Sequence, residues 1–359
     1  MKVTKILLTL GLAIGILLNI AIAKEVNFEG ETVEWIVPFK AGGGSDKWSR
    51  FYAPLLSQAL PGQPVVVIKN MPGGGSTKGA NFFAKRASTD GLTILGTSGS
   101  TQFPFLLDDR RVRYDYKDWK VVLGTPTGGV VYISSKLGIN NLDDIDKLKG
   151  IELKYGSQGA TSLDLIPLLA FDILGLNVKA VFGMKGRKSG RLAFLRGETN
   201  IDYQTSASYL KNVVPTIKEG KTIPLFSWGT LDNKGQLQRD PTFPNLPHFG
   251  EVYEKVYGKA PSGEAFNAWK TFFAAGFSAQ KMVFLPKNTS QDIIDTYSKA
   301  FTKVIKAADF KEKSKDLLGI YTQTTGKDAQ DLKQIATNVN LKDKQWIKNW
   351  LSEKYNIKF

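Results

Sequence analysis

Two segments of this chain share an order of residues that few architectures accommodate. Val33-Glu34-Trp35-Ile36-Val37-Pro38-Phe39 runs into Lys40-Ala41-Gly42-Gly43-Gly44-Ser45-Asp46. About thirty residues on, Val65-Val66-Val67-Ile68-Lys69-Asn70 runs into Met71-Pro72-Gly73-Gly74-Gly75-Ser76. A β-branched run, a glycine turn and a Ser or Asp cap predict a strand, a tight corner and a helix start in each. Glycine lets a bound group approach the backbone, and the first N–H groups of a helix are unpaired and partly positive. Two such corners side by side suit a small anion such as a carboxylate.

Strand-like runs recur at 33–39, 64–70, 92–97, 120–123, 130–135, 152–155, 179–183, 200–204 and 223–228. Helical patterns fill the gaps: Trp48, Phe51, Tyr52, Leu55, Leu56 and Leu60, then 76–87, 163–174, 188–195 and 209–218. This alternation predicts an α/β architecture with mainly parallel sheets and right-handed crossovers. Ligands of such sheets bind outside the carboxyl ends of the strands, where both glycine corners fall. Gly124-Thr125-Pro126-Thr127-Gly128-Gly129 reads as a crossing point, and a second set of βα units follows to about 222. The strand near 223–229 leads into a polar, proline-rich stretch, Asp232 to Pro247. Beyond it, Thr271–Ser278 and Met282–Leu285 carry strand signals, and Ile293, Ile294, Tyr297, Phe301, Val304 and Ile305 form one helical stripe. Leu341, Trp346, Ile347, Trp350 and Leu351 predict a terminal amphipathic helix with a docking face.

The first 23 residues read as a cleavable export signal: Lys2 and Lys5, the apolar run Ile6 to Ile22, and the site Ala21-Ile22-Ala23. The mature chain is expected to begin at Lys24 in the periplasm. Its formal charge falls from +15 to +13 when Lys2 and Lys5 are removed. The lysines are dispersed, which describes a solvated surface that also attracts anions, and no nucleic-acid module is present. With no cysteine and a single histidine, His248, thiolate chemistry, disulfides and zinc catalysis lack their residues. Gly96-Thr97-Ser98-Gly99-Ser100 has serine where a nucleophile elbow needs glycine, and Gly183 to Ser189 has Arg187 where a phosphate loop needs glycine. Neither a metal nor another cofactor is expected. An exported hydrolase built on a carboxylate pair stays open among the 33 acidic residues.

Several of these segments together resemble the substrate-binding proteins of tripartite tricarboxylate transporters. The resemblance rests on Pro38-Phe39-x-Ala41-Gly42-Gly43-Gly44-Ser45-Asp46, Gln63-Pro64-Val65-Val66-Val67 and Asn70-x-Pro72-Gly73-Gly74-Gly75. Asp90-Gly91-x-Thr93-Ile94-Leu95-x-x-Ser98, Leu153 to Ser157, Lys185-Gly186, Gly197, Asp202 and Asp240-Pro241-x-x-Pro244-Asn245-Leu246-Pro247 extend it over most of the mature chain. It implies a two-lobe periplasmic binding protein of type II-like form, each lobe a mainly parallel sheet flanked by helices, with the ligand cleft between them. Lobe one is expected at 24–123, lobe two at 124–224, and a return to lobe one with the C-terminal helices at 225–359. The implied ligand is a small organic carboxylate, and the implied partners are a large and a small membrane subunit, with the receptor a monomer. A receptor for another transporter or a sensor on the same fold is the alternative. The chain departs from the family at Leu163-Asp164, where a histidine is usual, at Met184, where an aromatic is usual, and in a longer Glu251–Lys270 segment.

The expected contacts follow from both readings. Gly42, Gly43, Gly44 and Ser45 with Gly73, Gly74, Gly75 and Ser76 offer backbone donors. Phe39 is read as an apolar wall or as ordinary core, and Asp46 as a helix N-cap. Ser98 and Ser100 end the third strand at the same edge and serve either the ligand or the turn. From lobe two, Ser157, Gly159, Ala160 and Thr161 are expected at a helix start. Lys185 is read as a partner for a distal carboxylate or as solvated, and Tyr203 and Thr205 as facing the cleft.

Overall fold

Among the described residues, ten of the twelve strands form two separate sheets, and the cleft is defined by which way those strands run. They are β1 (Thr32–Val37), β2 (Val65–Asn70), β3 (Thr93–Gly96), β4 (Lys120–Thr125), β5 (Gly129–Ser134), β6 (Leu153–Gly156), β7 (Val178–Val181), β8 (Ile201–Thr205), β9 (Thr222–Ser227), β10 (Thr230–Leu231), β11 (Leu237–Gln238) and β12 (Lys281–Leu285). The computed structural model describes residues 26–232 and 234–359, so the expected export signal at 1–23 lies outside the described residues. The first sheet has the order β2-β1-β3-β12-β4 and the second β7-β6-β8-β5-β9, while β10 and β11 form a small antiparallel ribbon. β1 pairs parallel with β2 and β3, and β12 runs antiparallel to both β3 and β4. In the second sheet β6 pairs parallel with β7 and β8, and β5 runs antiparallel to both β8 and β9. Four strands of each sheet therefore share one direction. The exceptions, β12 and β5, are the strands that arrive from the other lobe. All the rest aim their carboxyl ends at the space between the sheets, which places the strand-to-helix corners of those eight strands' βα units there, while the corner after β12 lies at the opposite end.

The chain crosses between the lobes at 126–128, as the Gly124–Gly129 turn predicts. The return is later than the expected 225. β9 is an edge strand of the second sheet, and Trp228, Phe249, Phe266, Trp269 and Phe272 belong to the second-lobe core. Ser227 N–H donates to Pro247 O at 2.9 Å, so the proline-rich stretch stays on that lobe. The crossing back runs through 274–280, beside the first, with Thr127 N–H donating to Phe277 O at 3.0 Å. The strand expected at Thr271–Ser278 is instead the end of helix Glu264–Phe273 and a π-turn, Ala274–Ser278. Short apolar runs do not separate strand from helix by period alone, and Phe266, Trp269 and Phe273 bury one helical face here.

A third passage carries the C-terminal helix Leu341–Tyr355 onto lobe two rather than lobe one. Ile347, Trp350 and Leu351 enter the second-lobe core, and Trp350 Nε1 donates to Asp172 Oδ2 at 2.7 Å. The apolar stripe thus docks on the protein itself, except for Leu341 at the helix start, which is exposed. The longer Glu251–Lys270 segment folds mostly as helix Phe249–Tyr257 and the first part of helix Glu264–Phe273, both packed on lobe two.

The lobes touch where helix Gly99–Leu106 of lobe one meets the crossings. Gln102 Nε2 donates to Ala275 O at 2.8 Å and to Ala336 O at 2.6 Å. Beside it Gly99 is pressed against the other lobe: a Cβ there would lie 2.7 Å from Leu163 Cδ1 and 3.2 Å from Gly276 O. We expect Gly99→Val to hold the lobes apart. Small-angle scattering should then show a radius of gyration that no longer falls on ligand addition. Compaction equal to that of the wild type would contradict this closure geometry.

Candidate ligand-binding cleft

The first corner is built by its own carboxylate. Asp46 is the third residue of helix Gly44–Ala59, and Gly43, not Asp46, is its N-cap. Asp46 Oδ2 accepts from Gly42 N–H at 2.8 Å, while Oδ1 accepts from Asn70 Nδ2 and Arg50 Nε, each at 3.0 Å. Burial raises the pKa of this carboxyl, but hydrogen bonds from Arg50, Gly42 and Asn70 outweigh it and hold it below its ordinary value. Asn70 also donates to Phe39 O at 3.0 Å, which ties the end of β2 to the first corner. Gly42 and Gly43 therefore spend their N–H groups on the fold, Gly43 on Lys40 O at 3.3 Å. Gly44 and Ser45, in the first helical turn, keep theirs free of helical partners. Phe39 is half-buried and packs against the first-lobe core, the second of its two readings.

The second corner is a run of left-handed backbone: φ is +134° at Gly73, +58° at Gly74, +66° at Gly75 and +88° at Ser76. Only glycine enters that region freely, so the triplet is a conformational requirement here. Gly73 to Gly75 are exposed, and helix Thr77–Arg86 begins immediately after. The buried Ser76 Oγ donates to Ser100 O at 3.1 Å, joining the second corner to the third. At the third corner Ser98 caps helix Gly99–Leu106, its Oγ accepting from Ser100 N–H at 3.2 Å. Ser98 is thus committed to turn chemistry. Ser100 Oγ accepts from Leu163 N–H of the other lobe at 3.4 Å, so it sits at the lobe contact.

The second-lobe loop differs from expectation. Asp164, which stands at the start of helix Leu165–Ile173, turns its carboxylate into the Ser157–Gly159 loop. Its Oδ2 accepts from Gln158 N–H at 2.6 Å and from Ser157 Oγ at 3.2 Å, and Ser157 Oγ accepts from Gly159 N–H at 3.1 Å. A carboxylate of the protein thus takes the Ser157 hydroxyl, and that hydroxyl in turn takes the Gly159 N–H, so neither donor is left for a ligand. Ala160 is buried in the second-lobe core. Tyr203 is fully buried, stacked beside the Arg187 guanidinium and against Trp228 and Phe277, and so does not front the cleft. Thr205 is half-buried ahead of helix Ser206–Asn212, and Lys185 is exposed in the loop after β7. Thr161 alone of this group reaches across, 3.4 Å from Arg111 Nη2 and 3.5 Å from Asp109 Oδ2 of lobe one.

Two residues of this region, Asp109 and Arg111, were not singled out from sequence, and Asp164 was noted only as a departure from the family. The run Asp108-Asp109-Arg110-Arg111 just past a helix was a usable signal for the first two. The sole histidine is structural. His248 Nδ1 accepts from Gly250 and Glu251 N–H at 3.0 and 3.3 Å, capping helix Phe249–Tyr257. Burial lowers its pKa, with the Glu251 charge acting against that.

Two lobes whose strand ends converge on glycine corners are the form of a solute receptor, and the comparisons agree. A sequence model described as the tripartite tricarboxylate transporter family receptor matches residues 50–351. The chain belongs to that family. Its curated relatives include protein BugT of Bordetella pertussis, 36% identical over 100 residues, a match spanning 28% of this chain and 30% of that one. A second, the UPF0065 protein of the tcbD-tcbE intergenic region of Pseudomonas sp. strain P51, is 24% identical over 82% of this chain and 80% of that one. Among solved structures, periplasmic binding protein BugD matches with a TM-score of 0.64 and 20% identity over 91% of this chain and 98% of that one. Rpa4515 of R. palustris, solved with adipate, matches at 0.65 and 18% over 91% and 97%. MatC from Rhodopseudomonas palustris, solved with bound malate, matches at 0.61 and 18% over 89% and 98%. These likenesses establish the two-lobe α/β fold of a family receptor. Among the described residues no helix is long and apolar enough to cross a membrane.

Proposed function

We propose that this receptor is exported, cleaved after Ala23, and captures a small organic carboxylate in the periplasm as a monomer. It then delivers the acid to the large and small membrane subunits of a tripartite transporter. The observation that carries the reading is the pair of neighbouring corners, Gly44-Ser45 and Gly74-Gly75. Both lie at strand ends facing the second lobe, and the first opens a helix whose leading N–H groups have no helical partner. The malate and adipate found in two structural relatives favour an acid of that general size. Ligand contacts that exist only when the lobes meet would shift the population toward the closed form, which the membrane subunits then recognise. Binding without turnover suits a cleft in which Ser76 and Ser98 are tied into the fold, in a chain whose sole histidine caps a helix.

The test is a thermal-shift screen of residues 24–359 against di- and tricarboxylates, aromatic acids and acidic amino acids. A ligand that binds only the native state raises the melting temperature by mass action. At least one acid should raise it by several degrees while its neutral analogue does not. A flat response across the library, or stabilisation by neutral compounds alone, would contradict the reading.

A further inference from the structure

We infer that Arg111 is the specificity-determining residue of this cleft: its guanidinium makes the site select an acid over the matching neutral amide, and links the acid to the second lobe through Thr161. The inference rests on the carboxylate reading of the glycine corners. Arg111 lies just past helix Gly99–Leu106, and its backbone is held to the helix that follows the second corner, with Asn81 Nδ2 donating to Arg111 O at 2.9 Å. One edge of the guanidinium is spent on Asp109: Nε donates to Oδ1 at 2.9 Å and Nη2 to Oδ2 at 2.5 Å. The same Nη2 reaches Thr161 Oγ1 of lobe two at 3.4 Å. Nη1 points the other way. It lies 3.8 Å from where a Cβ on Gly75 would stand. Among the described residues neither of its hydrogens has a protein acceptor, and the side chain is 48% exposed against 9% for Asp109.

The planar fork explains why this arrangement reads charge. A guanidinium presents five donors in fixed directions and binds a carboxylate along one edge while keeping others for a second acceptor. Asp109 fixes the orientation, and the glycine backbone beneath Nη1 leaves room for an oxygen that any side chain at 75 would fill. Burial raises the pKa of Asp109, and the hydrogen bonds and charge of Arg111 more than reverse it, so the pair is ionised at neutral pH. The fork's position is therefore set before a ligand arrives. The guanidinium that would meet an acid with Nη1 beside Gly75 is the same group that reaches Thr161 of the second lobe with Nη2. Backbone N–H groups donate to an amide carbonyl or a carboxylate oxygen alike. The guanidinium favours the charged one.

The experiment uses mature wild type, Arg111→Met and Arg111→Lys, titrated calorimetrically with malate, adipate, citrate, benzoate and glutamate, each beside its primary amide. For the tightest acid, Arg111→Met should weaken binding ten- to a hundredfold while the amide's affinity stays within twofold, so the preference narrows by the same factor. Arg111→Lys should recover part of it. An unliganded melting temperature within a few degrees of the wild type confirms that Arg111→Met is folded. If Arg111→Met binds the acid as tightly as the wild type, or loses acid and amide equally, the inference is overturned while the carboxylate reading stands. A wild-type protein that binds none of the acids overturns the carboxylate reading itself, and the inference with it.

Discussion

Arg187→Met should destabilise the protein by about 3–5 kcal/mol at neutral pH, the cost of stranding a buried charge when one partner is removed. Its side chain is 13% exposed and stands between two carboxylates, Asp164 and Asp202, that are fully buried. Nη1 donates to Gly156 O at 2.7 Å and to Asp164 Oδ2 at 3.2 Å; Nη2 donates to Asp202 and to Tyr203 O, the latter at 3.1 Å. The guanidinium lies 5.0 and 4.7 Å from the ring centres of Tyr155 and Tyr203. One side chain thus fastens β6, β8 and the start of helix Leu165–Ile173. Burial raises the pKa of Asp202, with Arg187 and a 2.5 Å hydrogen bond from Tyr132 acting against it.

Without Arg187 the Asp202 pKa climbs further above its unfolded value, which sets the sign of the pH dependence. Stability held by a raised carboxyl is fully present below the unfolded pKa of about 3.9 and is lost as pH rises through the folded pKa. The deficit of Arg187→Met relative to the wild type should therefore shrink between pH 7 and pH 5. Urea unfolding at both values measures it, and adding Asp202→Asn should recover part of the loss. An equal deficit at the two pH values would contradict the account.

The second large effect is on binding alone. Gly44→Ile should weaken the tightest acid by at least a hundredfold, about 2.7 kcal/mol, with the melting temperature nearly unchanged. Gly44 is the first residue of its helix, its φ is not in the left-handed region, and nothing lies within 4 Å of a Cβ placed there. A β-branched side chain at that point adds no backbone strain but stands beside the free N–H groups of Gly44 and Ser45. Gly74→Ile would be a poorer test: φ there is +58° and the new Cβ would fall 2.5 Å from Thr77 Oγ1. Its folding cost would mask the binding effect. Calorimetry on Gly44→Ile that returns wild-type affinity would remove the first corner from the site.

The glycine corners were legible because their signal is local: a strand, a left-handed turn and a helix start are written in consecutive residues. The nine strands up to β9 follow for the same reason. What the sequence hid is tertiary. The proline-rich stretch after β9 looks like a boundary, yet the pairing of β9 with β5 keeps it on lobe two. Helix Glu264–Phe273 reads as part strand because its aromatic residues are close together, and only the core they enter decides the period. Charges are hardest of all. Nothing in the order of residues says that Asp164 will turn inward to fill the Ser157 loop, or that Arg111 will stand over Gly75 while Lys185 stays in solvent. Each outcome depends on contacts between residues that are distant in the chain, as with Arg111 and Thr161.

The central claim is that bare main chain at two strand tips grips the acid's negative end, and amide resonances report this directly. In a spectrum of protein labelled with 15N-glycine, titrated with the tightest acid, the Gly44, Gly74 and Gly75 amide protons should move downfield as they gain a charged acceptor. Glycines far from the cleft, such as Gly220 and Gly258, should hold still. If the acid binds and those three amides do not move while others do, the ligand sits elsewhere and the claim is wrong.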